Sequence, residues 1–198
     1  SEVFSSKIRI HKNTGLKFVN TIQNRLIYFN NSENDLNQLR LFPQISSKIS
    51  YPLSKSTGNR TELLEPIIMP ILAPYNNYSN DQSITSNNIF DLNRATSLSQ
   101  WESGPRINYG INWLIRNDVY TINTSFGQSA KINKDDNSEN SNEISNYFIG
   151  NTLDFGDMGY IKTDITIDRK DLYLKDNNIN SSIVLGKMKF GFDYDYET

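Results

Sequence analysis

The sequence predicts an all-β fold: an antiparallel, up-and-down transmembrane β-barrel segment of about nine or ten strands that form an open partial barrel. Hydrophobic and polar residues alternate with period two along most of the chain. Short and long connections follow one another between these stretches, which is typical of a barrel wall. Only 36% of the residues are hydrophobic but 12% are aromatic, which suits aromatic girdles at a membrane interface better than a large dry core.

The clearest strand covers residues 104–116, where the two sides differ sharply in polarity. One side carries Ile107, Tyr109, Ile111 and Trp113, and the other carries Arg106, Asn108, Asn112 and Arg116. A wall between lipid and water has this division. A half-buried strand in a soluble antiparallel sheet shows the same alternation, so this strand alone leaves both interpretations open.

The remaining elements follow as hairpins. We expect strands over residues 4–10, 16–23, 41–53, 62–75, 119–130, 144–155, 158–174 and 181–196. Pro66 and Pro70 lack a backbone N–H, so the strand that holds them should be weakly paired where they fall. Residues 76–103 and 131–143 are expected to be long polar loops on one extracellular rim, and 175–180 a shorter loop.

The alternation assigns side chains to two faces of the predicted wall. The polar side chains expected to face the lumen are Lys48, Arg106, Asn108, Asn112, Arg116, Thr121, Asn123, Lys162, Asp164, Asp168, Lys187 and Lys189. Those expected to face lipid are Ile107, Tyr109, Ile111, Trp113, Tyr120, Ile122, Phe126, Phe190 and Phe192. The polar set fits either a hydrated lumen of mixed charge or a path for an amphiphile whose anionic head travels on the wet side.

Composition and motifs exclude several functions. No run of about 18 apolar residues is present, so a membrane-spanning helix is not expected. The chain begins without the features of a signal peptide, and we interpret it as an internal piece of a longer protein. The net charge of −2 gives no general attraction to nucleic acid. With no cysteine and only His11, the common catalytic sets cannot be built, so we expect no enzyme activity, cofactor or metal.

A series of short motifs resembles a known family. In order these are Phe42-Pro43, Glu65-Pro66, Ala73-Pro74, Ile89-Phe90-Asp91-Leu92-Asn93-Arg94, Trp101-Glu102-Ser103-Gly104, Arg106, Asn108-Tyr109-Gly110, Gly127-Gln128-Ser129, Ile144-Ser145-Asn146-Tyr147 and Asp168-Arg169-Lys170-Asp171-Leu172. Residues 41–174 thereby resemble the barrel of the LptD family, the outer-membrane lipopolysaccharide (LPS) assembly proteins, in its alphaproteobacterial form. The chain departs from the family at Thr96-Ser97 and Ser99-Gln100, and it lacks the family's cysteine pair.

The resemblance implies a function and partners. It implies LPS insertion into the outer leaflet of a Gram-negative outer membrane, with LPS, an LptE-like lipoprotein plug and outer-membrane lipid as partners, and with no nucleic acid and no catalytic residues. Residues 1–198 would be part of one barrel domain, without the N-terminal jelly-roll domain and the terminal strands of the family. The alternatives are a small porin-like barrel and a soluble carbohydrate-binding β-sandwich that uses Trp101 and Trp113 as sugar platforms.

Overall fold

The computed structural model describes residues 2–11, 14–31, 36–75, 84–94, 102–132 and 142–198. Their strands join in a single antiparallel sheet, which confirms the predicted all-β class. The strands are β1 Glu2–Ile10, β2 Lys17–Asn31, β3 Leu36–Ser50, β4 Leu53–Thr57, β5 Arg60–Leu72, β6 Arg106–Arg116, β7 Thr121–Ile132, β8 Asn142–Ile144, β9 Tyr147–Asp154, β10 Gly159–Ile167, β11 Leu174–Leu185 and β12 Met188–Glu197. One 3₁₀ turn, Gly156–Met158, precedes β10. No helix among the described residues is long and apolar enough to cross a membrane.

Ten strands form a continuous path of neighbours, β1-β2-β3-β5-β6-β7-β9-β10-β11-β12, while β4 pairs with β5 and β8 with β7. This agrees with the predicted strand number and with up-and-down topology. The path ends at β1 and β12, and the described part of the sheet is open, as predicted.

Prolines interrupt the ladder between β5 and its neighbours β3 and β4, as the sequence predicted. Bridge partners run from Ile45↔Leu72 to Ser50↔Ile67 and resume at Leu53↔Leu64 in the same register. The gaps in this ladder lie opposite Pro66 and Pro70, which have no N–H to donate. On its other edge β5 pairs with β6 from Thr61 to Ile71 without a break.

The last third of the chain differs from the prediction. Residues 158–174 are not one strand, because β10 ends at Ile167 and a turn leads to β11 at Leu174. The Asp168 carboxylate closes this turn by accepting hydrogen bonds from the backbone N–H groups of Lys170 (2.7 Å) and Asp171 (2.9 Å). Residues 175–180, predicted as a loop, belong to β11, and the predicted strand over 181–196 is divided by a turn in which Gly186 has φ 63°.

The two longest connections between strands lie at the same end of the sheet. At one end the chain turns within 11–16, 58–59, 117–120, 155–158 and 186–187. At the other end lie the connections 32–35, 73–105 and 168–173, together with 133–141 between β7 and β8. We call these ends the short-turn rim and the long-loop rim. The two predicted long loops therefore leave from the same rim, as expected.

Most strands present one polar and one largely apolar face, and the faces can be matched from strand to strand because residues opposite one another in the ladders share a face. β5 is an exception, since its Leu63, Ile67, Met69 and Ile71 lie on the face that is polar in its neighbours. The face that includes Ser46, Asn108 and Asn180 is called the polar face, and the face that includes Ile45 and Ile111 the apolar face. The edge strand β1 reverses this pattern. Its Ile8 lies opposite Val19 and thus on the polar face, while Lys7 lies on the apolar face.

Candidate functional site: the polar face and its strap

The connection between β5 and β6 folds back onto the polar face. We call its described parts, residues 84–94 and 102–105, the strap. The sequence predicted a long polar loop over 76–103 but not its path, and the strap contacts the sheet over β3, β5, β6, β7 and β10. The rest of that loop, and most of the loop predicted over 131–143, lies outside the described residues.

The first contact between strap and sheet centres on Asp164 of β10. Its carboxylate accepts hydrogen bonds from the Ser86 N–H (3.3 Å), the Ser86 hydroxyl (2.7 Å) and the Asn87 amide (3.0 Å). Three donors on one carboxylate hold the start of the strap against the sheet, because hydrogen bonds to an ionised acceptor are the stronger ones.

Two glycines of the sheet make room for the strap at this point. A Cβ on Gly150 would lie 2.0 Å from the Ser86 Oγ, and one on Gly127 would lie 2.9 Å from the Ile89 Cγ1. Ile89 is fully buried there. The close approach of strap and sheet therefore depends on these two positions having no side chain.

The second contact is apolar. Leu92 packs with Met69 and Ile71 of β5 in a buried cluster, and Phe90 packs against its edge. The Lys48 ammonium of β3 lies 5.3 Å from the centroid of the Phe90 ring, within the range of a cation–π contact. This cluster covers the end of β5 next to the long-loop rim, on the polar face of the sheet.

The third contact is a buried ion cluster of Arg94, Glu102 and Arg106. The Arg94 guanidinium donates to both carboxylate oxygens of Glu102, with 2.8 Å between Nε and Oε2. Arg106 Nη2 lies 3.1 Å from the same Oε2 and also donates to the Leu92 carbonyl. All three side chains are at most 1% exposed. Two cations and one anion are thus removed from water together, which is costly unless the three charges stay paired.

Neutral polar groups extend this cluster into the sheet. Arg94 donates to the Ser129 hydroxyl (3.2 Å), which donates to the Asn108 side chain (2.7 Å). The Gln44 amide donates to the Glu102 carbonyl oxygen (3.0 Å). The Asn93 side chain accepts from the Glu102 N–H (2.9 Å). The second part of the strap is therefore held by strands on both sides of β5.

A carboxyl group with a shifted pKa and a polar cavity lie beside the strap. Burial raises the pKa of the Asp91 carboxyl above its ordinary value, and the charges of Arg94 and Lys48 oppose that rise. Next to the Asp164 contact is a polar cavity of about 170 Å³. Its lining includes Asn87, Asn123, Lys162, Asn178 and Asn180, all of which can form hydrogen bonds.

Comparison with known proteins identifies the family of this chain. A family model for LptD, LPS transport system D, matches residues 9–195. The chain belongs to the LptD family. A search of curated protein sequences found no match to this chain.

Membership of the LptD family confirms the family part of the resemblance and extends it to nearly the whole chain. This is a family of LPS transport at the Gram-negative outer membrane, and its role is transport or assembly and not enzymatic catalysis. The alphaproteobacterial form and the position of the chain within a larger barrel stay predictions.

Most side chains predicted to face the lumen of this LptD-family wall share the polar face. They are Lys48, Arg106, Asn108, Asn112, Arg116, Thr121, Asn123, Lys162, Asp164 and Lys189. Lys187 lies in the turn between β11 and β12, and Asp168 in the turn after β10, so neither is on a strand face. That the polar face lines a water-filled lumen stays a prediction.

Most side chains predicted to face lipid share the apolar face. They are Ile107, Tyr109, Ile111, Trp113, Ile122, Phe126, Phe190 and Phe192. Tyr120 lies in the turn before β7, where the Asn117 side chain accepts a hydrogen bond from its N–H. Ile111 is 41% exposed and Phe192 58%, so this face is open to its surroundings. Contact with lipid stays a prediction.

Reasoning from alternation missed the residues that hold the strap. Ser86, Arg94 and Glu102 lie outside the strands, where no period marks a side chain as inward or outward. The only signal for Arg94 and Glu102 was the family resemblance, since both stand in motifs that it includes.

Proposed function

We propose that this chain forms part of the wall of an outer-membrane translocon that inserts LPS into the outer leaflet, together with an LptE-like lipoprotein plug. The observation that carries the proposal is that the described strands of a member of an LPS-transport family form one twelve-stranded sheet, which divides into an exposed apolar face and a charged polar face. An amphiphile such as LPS needs both environments side by side, because its head group is anionic and its chains are apolar.

In this proposal the apolar face meets outer-membrane lipid and the polar face lines the lumen. The strap then lies inside the lumen, where it covers part of the polar face. The head group of LPS travels along the uncovered polar side chains, and the acyl chains stay on the lipid side. A porin-like barrel or a soluble β-sandwich is supported less well, because the family is one of LPS transport and the described strands form one sheet and not two packed sheets.

Depletion of the protein tests the function. In a strain whose only copy is under a repressible promoter, LPS labelled on intact cells should fall as the protein is diluted out, and a plasmid copy should restore it. Unchanged surface LPS after complete depletion would contradict the proposed function.

The orientation can be tested separately, because the chain has no cysteine of its own. In outer-membrane barrels the long loops lie outside and the short turns face the periplasm. Lys170→Cys, on the long-loop rim, should therefore react with a membrane-impermeant maleimide on intact cells, whereas Asp157→Cys, on the short-turn rim, should react only after permeabilisation. The reverse pattern would invert the proposed topology.

The wider context is also a proposal. Residues 1–198 would form part of one larger barrel domain, with the jelly-roll domain and the terminal strands of the family elsewhere in the protein. Sequencing the complete reading frame tests this directly.

A further inference from the structure

Charged side chains of the two signs are unevenly distributed over the polar face. The register of the ladders places most charged residues of the strands on one face or the other, and the polar face can therefore be mapped strand by strand. Among the described side chains, basic residues prevail from β2 to β7 and acidic residues from β9 to β12.

The two regions are defined by their residues. The basic half carries Lys17, Arg25, Arg40, Lys48, Arg106, Arg116 and Lys131, with Glu65 as its acidic member. The acidic half carries Asp154, Asp164, Asp176, Asp193, Asp195 and Glu197, with Lys162 and Lys189 as its basic members.

This separation is not what folding stability alone favours. Like charges on neighbouring strands repel, and opposite charges placed across strands would stabilise the sheet slightly. In the acidic half Asp193 and Asp195 instead accept hydrogen bonds from the neutral amides of Asn180 and Asn178. Across the boundary between β7 and β9, Thr121 lies opposite Asp154 and no ion pair bridges the described side chains of the two halves.

Separated charge creates a field across the polar face. Clusters of one sign raise the local concentration of oppositely charged ligands, and opposed clusters fix which way a charged molecule passes. The strap lies across the boundary, since Ser86 bonds to Asp164 in the acidic half and Glu102 bonds to Arg106 in the basic half.

We propose that the basic half of the polar face, where the strap leaves it uncovered, is the binding surface for the anionic head group of the transported molecule, and that the acidic half excludes it. The ligand class is a phosphorylated or carboxylated saccharide. This inference rests on the proposed function, because it names the part of the wall that the LPS head group contacts.

Binding of myo-inositol hexakisphosphate, with uncharged myo-inositol as the control probe, tests the proposal on the full-length protein in a non-ionic detergent. Two double variants remove the same charge from the same face. Lys17→Gln with Arg116→Gln alters the basic half, and Lys162→Gln with Lys189→Gln alters the acidic half. These four side chains are half-buried or exposed, and none forms a described contact with the strap.

We expect the basic-half double variant to weaken hexakisphosphate binding about tenfold at low salt, and the acidic-half double variant to change it less than about twofold. The reason is that only the first variant removes positive charges that lie near the bound anion. Asp193→Asn with Asp195→Asn should tighten binding, an effect that misfolding cannot imitate. Neither the unaltered protein nor any of the variants should bind uncharged myo-inositol.

If the two double variants that remove positive charge weaken hexakisphosphate binding equally, binding follows total charge and the proposal is overturned. Failure of the unaltered protein to bind the hexakisphosphate would overturn it as well. Neither result would touch the proposed function, which depends on the depletion experiment.

Discussion

The buried ion cluster gives the sharpest prediction. Glu102→Gln keeps the size of the side chain but removes the negative charge that lies between Arg94 and Arg106, whose side chains are 1% and 0% exposed. Two guanidinium groups would then remain buried without the carboxylate that pairs with both of them. Breaking a buried pair in this way costs about 3–5 kcal/mol. Because the cluster joins the strap to β6, the loss should appear as opening of the strap while the sheet stays folded.

Hydrogen exchange of peptides that cover residues 84–94 and 102–105 measures this opening. At about 1.4 kcal/mol per factor of ten, amides such as the Gly104 N–H, which bonds to Pro74, should exchange roughly two to three and a half powers of ten faster. The matched control is Glu62→Gln, which removes the partner of Arg60 in an ion pair whose side chains are 47% and 32% exposed. That pair is worth about 1 kcal/mol or less.

If the strap amides of the Glu102→Gln variant exchange no faster than those of the Glu62→Gln control, the reasoning is refuted. It would mean that the buried cluster does not hold the strap on the polar face. Adding Arg106→Met to Glu102→Gln should partly restore slow exchange, since it removes one of the two uncompensated charges.

Three further predictions follow from single positions. Gly150→Ala should destabilise the strap by about 1–3 kcal/mol, seen as faster exchange near Ser86, because the new Cβ would lie 2.0 Å from that hydroxyl oxygen; unchanged exchange would contradict the close packing. Ile111→Arg should cost about 2–4 kcal/mol in a folding assay in lipid vesicles if the apolar face meets the membrane, and a loss under about 0.5 kcal/mol would point to an aqueous surface. Two backbone N–H groups lower the pKa of the Asp168 carboxyl, so its contribution to the β10–β11 turn is present above the ordinary carboxyl pKa and is lost as pH falls through the lowered one. Exchange of the Lys170 amide should show that pH dependence, and Asp168→Asn should abolish it.

The sequence by itself determined the two faces of most strands. Side-chain direction in a strand depends only on the parity of the residue number, so Arg106 and Asn108 could be set against Ile107 and Tyr109 without knowing any neighbour. The effect of Pro66 and Pro70 was equally local, because a missing N–H weakens a ladder whatever strand lies beside it.

Strand limits in the last third could not be predicted in this way. Asn177, Asn178 and Asn180 suggest a loop by composition, but β11 accommodates them between two paired neighbours, where Asn178 and Asn180 hydrogen-bond to aspartates of β12. The turn that ends β10 depends on one carboxylate that caps two N–H groups, a contact that alternation does not report.

Only the tertiary structure decided where the strap lies and how charge is distributed. Arg94, Glu102 and Arg106 meet because residues after β5 fold back over the sheet, and a period of two carries no information about a segment outside the strands. Parity likewise assigns Lys48 and Asp164 to one face without saying how far apart they lie across it. The order and register of the strands set that distance, because they bring together residues that are remote in sequence, and they separate the basic half of the polar face from the acidic half.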